Sequence, residues 1–217
     1  MLMTKSKSTS DEASDELNPE PILYVIDDDD LVRSSLEDTF SSVGIPISTF
    51  SSGIDFFKSV NSDRPGCILL DMRMPGMSGN EVQEELAARS INLPVIVITG
   101  YADVESGVRA MKSGALDYIT KPFSPQSILE KVQRAMKDSL IAFQESQDKT
   151  EIRERYESLT ARELEVLDLM LNGDLNKQIA GKLDLSERTV EFHRKNMMTK
   201  MGAKTSLELV KFSLIAR

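Results

Sequence analysis

Apolar residues follow two alternating spacings between residues 21 and 136. Five short runs rich in Val, Ile and Leu predict strands at 22–26, 46–50, 67–70, 95–98 and 118–120. After each run, apolar residues recur at helical spacing, near 31–40, 53–60, 80–89, 103–113 and from about 125. Because such repeats with continuously apolar strands are typical of a sheet covered on both faces, we predict an α/β fold with a doubly wound, five-stranded parallel sheet.

The pattern changes after Ser158, where four helical segments follow one another. A Thr-x-x-Glu capping box at Thr160 should begin the first of them, and Gly173 should end it. The later helices should begin near 177, 186 and 206. The short second helix, the tight turn after it and the third helix predict a helix-turn-helix within a second, all-α domain.

These patterns divide the chain into four segments. Residues 1–20 are rich in Ser, Asp and Glu and poor in apolar residues, which predicts a disordered tail. We expect the α/β domain to cover 21–138 and the all-α domain to cover 158–217. The linker 139–157 continues the helical spacing and has no Gly or Pro, so we predict that it is helical; a flexible polar linker is the alternative.

Composition narrows the class of protein. Of the 217 residues 40% are hydrophobic, but no run is long enough for a membrane span or a signal peptide, which predicts a cytoplasmic protein with no membrane partner. The single cysteine, Cys67, should be a buried, reduced thiol. The net charge of -9 is uneven, because from Leu159 onward ten Lys and Arg stand against eight Asp and Glu. The C-terminal domain is therefore a candidate for binding nucleic acid.

Polar residues stand where the predicted strands end. Asp27 and Asp28 follow the first strand, Asp71 follows the third, Thr99 the fourth and Lys121 the fifth. Ligands of open parallel sheets bind beyond the carboxyl ends of the strands. We therefore expect these five side chains to share one crevice.

The residue types in this crevice suit phosphoryl transfer. Three close carboxylates repel one another unless a cation lies among them, and hard oxygen ligands favour Mg²⁺. One aspartate could then act as a nucleophile, while Lys121 and Thr99 contact the phosphoryl oxygens. In the alternative interpretation, residues 27–30 are a solvated run that caps the helix at Leu31, and Lys121 is an ordinary surface lysine.

The N-terminal domain resembles a known family. The matching segments are Asp27-Asp28, Asp71-Met-Arg-Met-Pro75-Gly-Met-Ser-Gly79, Thr99-Gly100 and Lys121-Pro122-Phe123. Together they resemble the receiver domain of bacterial two-component response regulators, which has a flavodoxin-like fold. This resemblance implies that Asp71 accepts a phosphoryl group from a sensor histidine kinase.

The same resemblance implies roles for the other residues of the crevice. Asp28, Asp71 and the backbone carbonyl of Arg73 would bind Mg²⁺, and Asp27 would act on the ion through water. Thr99 would be the switch hydroxyl and Tyr118 the switch aromatic residue, and Lys121 would form a salt bridge with the phosphoryl group.

The C-terminal domain resembles the LuxR-type helix-turn-helix. The matching residues are Leu159-Thr-Ala-Arg-Glu163, Gly173, Asn176-Lys-Gln-Ile179-Ala180, Thr189-Val190, His193 and Lys200-Met-Gly202. Joined to a receiver, the domain is similar to the NarL/FixJ group, on its FixJ side. His193, the only histidine, should be structural rather than catalytic.

Helical geometry predicts which side chains of the third C-terminal helix read DNA. Val190, Met197 and Met201 fall within about 40° of one another and should face the core. Our candidate DNA contacts are Asn176, Lys177, Arg188, Thr189, Glu191, Phe192, Lys195, Asn196 and Thr199. Phe192 could press on a thymine methyl or, alternatively, pack on a neighbouring helix. Glu191 replaces a lysine common in this group, so we expect a role in base reading or in excluding like charge.

We therefore predict a phosphorylation-switched transcription regulator and not an enzyme. Phosphorylation should remodel the face made by the helix near 103–113, the strand at 118–120 and the helix from about 125, and that face should form a homodimer on double-stranded DNA. One rival is an aspartate-nucleophile phosphatase, but Met72-Arg73 follows Asp71 where such an enzyme has a second carboxylate two residues on. The other rival is a DNA-binding protein with a degenerate receiver.

Overall fold

The structure is a computed structural model that describes residues 19–100, 108 and 110–217. Its five strands are β1 (Ile22–Ile26), β2 (Ile47–Phe50), β3 (Gly66–Asp71), β4 (Val95–Thr99) and β5 (Asp117–Thr120). They form one sheet in the order β2-β1-β3-β4-β5, and every pairing is parallel. The predicted α/β fold with a five-stranded parallel sheet is confirmed.

Helices follow the first three strands and the last one. They are α1 (Asp30–Ser41), α2 (Gly53–Ser59), α3 (Gly79–Ala88) and α4 (Pro125–Glu157). Most of the helix predicted near 103–113 and nearly all of the predicted disordered tail lie outside the described residues. The single helix α4 runs through all of the predicted linker, 139–157. No helix in the described ranges is long and apolar enough to cross a membrane.

The sheet separates two apolar cores because alternate strand residues point to opposite faces. Along β1, Tyr24 and Ile26 join a core that includes Phe56 of α2 and Val82 of α3. The alternate residues Leu23 and Val25 join a second core with α1 and α4, which also includes Phe40, Ile128 and Val132. Both faces of the three central strands, β1, β3 and β4, are thus buried, as their continuous apolar sequence requires. Cys67 belongs to the second core and is a free, fully buried thiol, as predicted.

Contacts divide the chain into two compact units, Met1–Gln144 and Glu145–Arg217. The second unit contains α5 (Ala161–Leu171), α6 (Asn176–Leu183), α7 (Glu187–Met201) and α8 (Ser206–Ala216). The predicted capping box is present: the Thr160 hydroxyl accepts from the Glu163 N–H, and the Glu163 carboxylate accepts from the Thr160 N–H. Asp184, in the left-handed conformation, makes the tight turn between α6 and α7.

Glu163 ties α5 to α7 as well as capping its own helix. Its carboxylate lies 2.7 Å from Nζ of Lys200 and is almost fully buried. Burial by itself would raise the pKa of this carboxyl, but the hydrogen bonds from Lys200 and Thr160 outweigh it and hold the pKa below its ordinary value. Glu163 is therefore ionised in the folded unit at neutral pH.

Candidate functional site

Two buried aspartates share one lysine at the carboxyl ends of the strands. Nζ of Lys121 lies 2.8 Å from Oδ2 of Asp27 and 2.8 Å from Oδ1 of Asp71. The two carboxylates are 1% and 6% exposed, whereas the lysine is only half-buried. The predicted convergence of these three residues is present in the structure.

The sheet brings the three side chains together through its strand order. β1 and β3 are neighbours with Ile26 opposite Leu70, so the residues that follow them, Asp27 and Asp71, are also adjacent. Lys121 follows β5, and its N–H donates to the Thr99 carbonyl at the end of β4, 2.7 Å away. The lysine side chain reaches from the end of β5 to both carboxylates, so one ammonium group pairs with Asp27 and Asp71.

Burial and ion pairing act in opposite directions on these groups. Burial raises the pKa of the Asp27 carboxyl above its ordinary value, although hydrogen bonds from Lys121 and from the Asp29 N–H oppose the rise. For Lys121, burial would lower the pKa, but the hydrogen bonds to Asp27 and Asp71 outweigh it and raise the pKa. The lysine is thus protonated at neutral pH, and it partly offsets the charge of the two carboxylates.

Backbone groups fix the remaining carboxylate oxygens. Oδ2 of Asp71 accepts from the Arg73 N–H at 2.6 Å, and Oδ1 of Asp27 accepts from the Asp29 N–H at 2.9 Å. The Arg33 guanidinium donates to the Asp27 carbonyl at 2.5 Å. Sequence reasoning missed Arg33, although its place one turn into α1, six residues after Asp27, was a usable signal.

Gly79 allows the loop after β3 to close against the site. A Cβ at this position would lie 2.7 Å from the Asp71 carbonyl oxygen and 2.8 Å from the Met72 Cα. The backbone atoms that it would meet cannot move without moving Asp71. The glycine at the end of the sequence motif is therefore required by packing.

The four consecutive aspartates have different environments. Asp28 is exposed, Asp29 caps α1 by accepting from the Leu31 N–H, and Asp30 pairs with Arg33. The alternative interpretation of a helix-capping run thus applies to Asp29 but not to Asp27, which is buried in the site. In the described ranges, no three His, Cys, Asp or Glu side chains are already grouped as a metal site, so Asp28 does not complete a cluster with Asp27 and Asp71.

The donor set nevertheless suits a magnesium ion. Asp27, Asp28 and Asp71 offer only carboxylate oxygens, the hard ligands that Mg²⁺ prefers. Two carboxylates share one ammonium group, so the buried pair keeps a net negative charge that a cation can offset. The charge and chemistry of these residues fit a divalent cation.

The two predicted switch residues lie near the same edge of the sheet. Thr99 is 4% exposed, so its side chain is already buried in this structure. Tyr118 is half-buried and packs against the core that contains Tyr24. Their movement on phosphorylation stays a prediction.

The burial pattern of α7 matches the prediction, made from helical spacing, of which residues face the core. Val190, Met197 and Met201 are fully buried in the core of the second unit. The side chains of Glu191, Phe192, Lys195 and Thr199 are exposed, and Asn196 is half-buried. Phe192 is 60% exposed, and its ring lies edge-on to that of the half-buried His193.

The basic residues of this surface are available to a partner. Lys177, Arg188 and Lys195 are exposed, and none of them forms an ion pair within the described ranges. Thr189 is different, because its N–H donates to the Ser186 hydroxyl and thereby begins α7. The Thr199 hydroxyl donates to the Lys195 carbonyl at 3.0 Å.

Asn176, the first residue of α6, is held by an arginine that sequence reasoning missed. The Arg194 guanidinium donates to Oδ1 of Asn176 at 2.6 Å and to the Ser206 hydroxyl at 3.2 Å. These contacts join α6, α7 and α8 beside a depression of about 370 Å³ that Glu191 and Lys195 also line. No sequence periodicity links positions 176, 194 and 206, so only the folded unit identifies this arginine.

Comparison with known proteins assigns both units to families. Residues 23–133 match the response regulator receiver domain, and residues 157–213 match the bacterial regulatory proteins of the luxR family. The FixJ transcriptional regulatory protein of Azorhizobium caulinodans is 43% identical over 195 residues, which cover 89% of this chain and 92% of the relative. This chain is a response regulator of the NarL/FixJ family. It joins a receiver domain to a LuxR-type DNA-binding domain and is a transcriptional response regulator.

Other relatives agree with this assignment. The response regulator protein TodT of Pseudomonas putida strain F1 is 40% identical over 190 residues, which cover 88% of this response regulator and 84% of TodT. A solved structure of the response regulator StyR has a TM-score of 0.84 at 38% identity and covers 90% of this chain and 98% of its own.

Proposed function

We propose that Asp71 is the phosphoacceptor of this response regulator and that a sensor histidine kinase is its phosphoryl donor. The observation that carries the proposal is the buried Asp71 carboxylate at the end of β3, paired with Lys121 beside Asp27. In the transfer, a carboxylate oxygen of Asp71 forms a bond to phosphorus, and the phosphorus–nitrogen bond to the kinase histidine breaks. The bonding electron pair stays on the imidazole nitrogen, which then takes up a proton.

The surrounding residues of the chain have positioning roles in this proposal. Lys121, already 2.8 Å from Asp71, is within reach of the added phosphoryl oxygens and keeps its positive charge because its pKa is raised. Thr99 supplies a hydroxyl at the end of the neighbouring strand, and Tyr118 follows as the switch aromatic residue. The Arg73 N–H holds the second Asp71 oxygen.

Asp27, Asp28, Asp71 and the backbone carbonyl of Arg73 would hold Mg²⁺ in this proposal. The bound ion supplies positive charge that lowers the repulsion between the carboxylates and an incoming phosphoryl group. The oxygen-only donor set supports this choice of ion.

We propose that the exposed face of α7, together with the start of α6, reads DNA. The candidate contacts are Asn176, Lys177, Arg188, Thr189, Glu191, Phe192, Lys195, Asn196 and Thr199. Exposure of Phe192 and of three unpaired cationic side chains supports the proposal, because phosphate contacts need available cations. Asn176 is presented to DNA by Arg194.

We further propose that the phosphorylated protein dimerises through the face predicted above and binds two half-sites about 34 Å apart. A change from mostly inactive to mostly active needs about 5.5 kcal/mol of differential stabilisation. In this proposal the receiver domain spans 21–138, the linker 139–157 and the DNA-binding domain 158–217. Because DNA is one of the proposed partners, we propose the cytoplasm as the location.

Intact-mass measurement after incubation with Mg²⁺ and acetyl phosphate tests the phosphoacceptor. We expect one added phosphoryl group in the unmodified chain, none in Asp71→Asn, and an undiminished adduct in Asp63→Asn, a variant of an exposed aspartate in the same unit. No adduct on the unmodified chain would favour a degenerate receiver. Rapid turnover of acetyl phosphate without an adduct would favour an aspartate-nucleophile phosphatase.

A further inference from the structure

A cavity in the receiver domain lies at the opposite end of the sheet from Asp71. It has a volume of about 580 Å³, within the range of small-molecule sites in proteins. α3, α4 and the segments that lead into β4 and β5 form its walls. These walls are largely apolar, with Leu86, Ile91, Val95 and Leu116 among the lining residues.

One buried polar group in this lining lacks hydrogen-bond partners. Gln83 of α3 is 5% exposed, and both Nε2 and Oε1 of its amide are buried without a partner. In the described residues, the other buried side-chain atom without one is Oδ1 of Asn80, one turn earlier on the same helix. Buried amides are nearly always hydrogen-bonded, so a doubly unpartnered one beside a cavity indicates that a molecule bound there can complete its bonds once the side chain turns towards the cavity.

We propose that this cavity binds a neutral, largely apolar molecule that carries a carboxamide or lactam group. The Gln83 amide offers a donor and an acceptor side by side, and a carboxamide offers the matching acceptor and donor. The charged residue in the described lining is Asp138, whose carboxylate disfavours anions. The hydroxyl of Ser139, also in the lining, already accepts from the Gly66 N–H at 3.0 Å, whereas both amide atoms of Gln83 lack a partner, so Gln83 is the polar anchor in this proposal.

This ligand does not compete with phosphorylation for space. Val95 is the first residue of β4 and Thr99 the last, so the strand separates the cavity from the acidic site by about 13 Å. The proposal is thus independent of the proposed role of Asp71, and Asp71→Asn should bind the ligand as the unmodified chain does.

Amide-resolved NMR titration of the full chain with 2-naphthamide tests the proposal. We expect saturable shifts of the Gln83 side-chain resonances and of the backbone amides of residues 113–116. The anion 2-naphthoate has the same ring system without the amide donor, and we expect it to bind at least tenfold more weakly. Gln83→Leu keeps a similar side-chain volume without the amide and should bind 2-naphthamide at least tenfold more weakly.

Two further variants separate a ligand site from an unsatisfied core amide. Gln83→Met keeps the length of the side chain without the amide and should also bind 2-naphthamide at least tenfold more weakly. Gln133→Leu changes an exposed glutamine of α4 and should bind as the unmodified chain does. Absence of saturable shifts at millimolar 2-naphthamide, or equal affinity in Gln83→Leu, would overturn the proposal.

Discussion

The acidic site, formed by Asp27, Asp71 and Lys121, and the exposed face of α7 differ in how their charged side chains are paired. In the acidic site, Asp27 and Asp71 are buried and share the ammonium group of Lys121. On α7, Lys195 and Glu191 are exposed and form no ion pair within the described ranges. In the acidic site, one ammonium group partly neutralises two carboxylates, and an added phosphoryl group would change this balance of charge. The exposed face of α7 leaves its charges available, as binding to a polyanion requires.

The largest expected effect is the removal of the shared lysine. Lys121→Met leaves two buried carboxylates without their cation, so we expect the receiver to lose about 4 kcal/mol of unfolding free energy. Hydrogen exchange of the β1 and β3 amides, measured with EDTA present, reports this unit separately from the helical one. Lys131→Met is the matched control, since its pair with Asp117 is about one-third exposed and should be worth less than about 1 kcal/mol. Equal losses in both variants would contradict the buried charge balance.

A second effect separates the two faces of α7. Met197→Ala empties part of the core and should cost the second unit about 3 kcal/mol. Phe192→Ala removes a side chain that is 60% exposed, so stability should be unchanged while operator affinity falls about tenfold. Thermal unfolding and DNase footprinting measure the two quantities. Unchanged affinity of Phe192→Ala would show that this face does not read the operator.

A smaller effect concerns the one buried ion pair described in the second unit. The pKa of Glu163 is held below its ordinary value of 4.5 in the folded state, so its contribution is present at neutral pH and is lost as the pH falls below about 4.5. Glu163→Gln should therefore be about 1–2 kcal/mol less stable at pH 7, and the difference should shrink towards pH 3. Urea unfolding at a series of pH values checks this. A difference that is constant with pH would assign the effect to capping alone.

The smallest effect is one phosphate contact. Lys195→Ala should reduce the slope of log affinity against log salt by about 0.9. Lys211→Ala is a control on α8, where the lysine is also exposed but outside the proposed surface. Fluorescence anisotropy with operator DNA at several salt concentrations measures both slopes. Equal slopes in Lys195→Ala and the unmodified chain would argue against the contact.

Much of the fold could be predicted from the local spacing of apolar residues. The differences between prediction and structure lie at the ends of strands and helices. The predicted strand at 46–50 begins one residue later, at Ile47, because Pro46 cannot donate a hydrogen bond within the sheet. The predicted helix at 31–40 extends to Asp30–Ser41 because Asp29 caps it. The capping signal at Thr160 could be recognised because it depends on residues three positions apart in the chain.

The site was predictable to a lesser degree. Asp27, Asp71 and Lys121 could be grouped because every parallel strand delivers the residue at its carboxyl end to the same edge. Their actual pairing could not be derived, because it depends on which strands are neighbours and on how far each carboxylate is buried. Arg194 was missed for the same reason, because it acts on a residue 18 positions away in the chain.

The sequence by itself determined the two-domain character, the sheet, the caps and the buried stripe of α7, since each depends on the spacing of residues within one segment. Only the tertiary structure decided that Lys121 bridges Asp27 and Asp71, that Arg194 holds Asn176, and that the Gln83 amide is buried beside a cavity. The physical reason is that burial, and with it the strength of a charge or the cost of an unpaired amide, is a property of packing between segments distant in the chain.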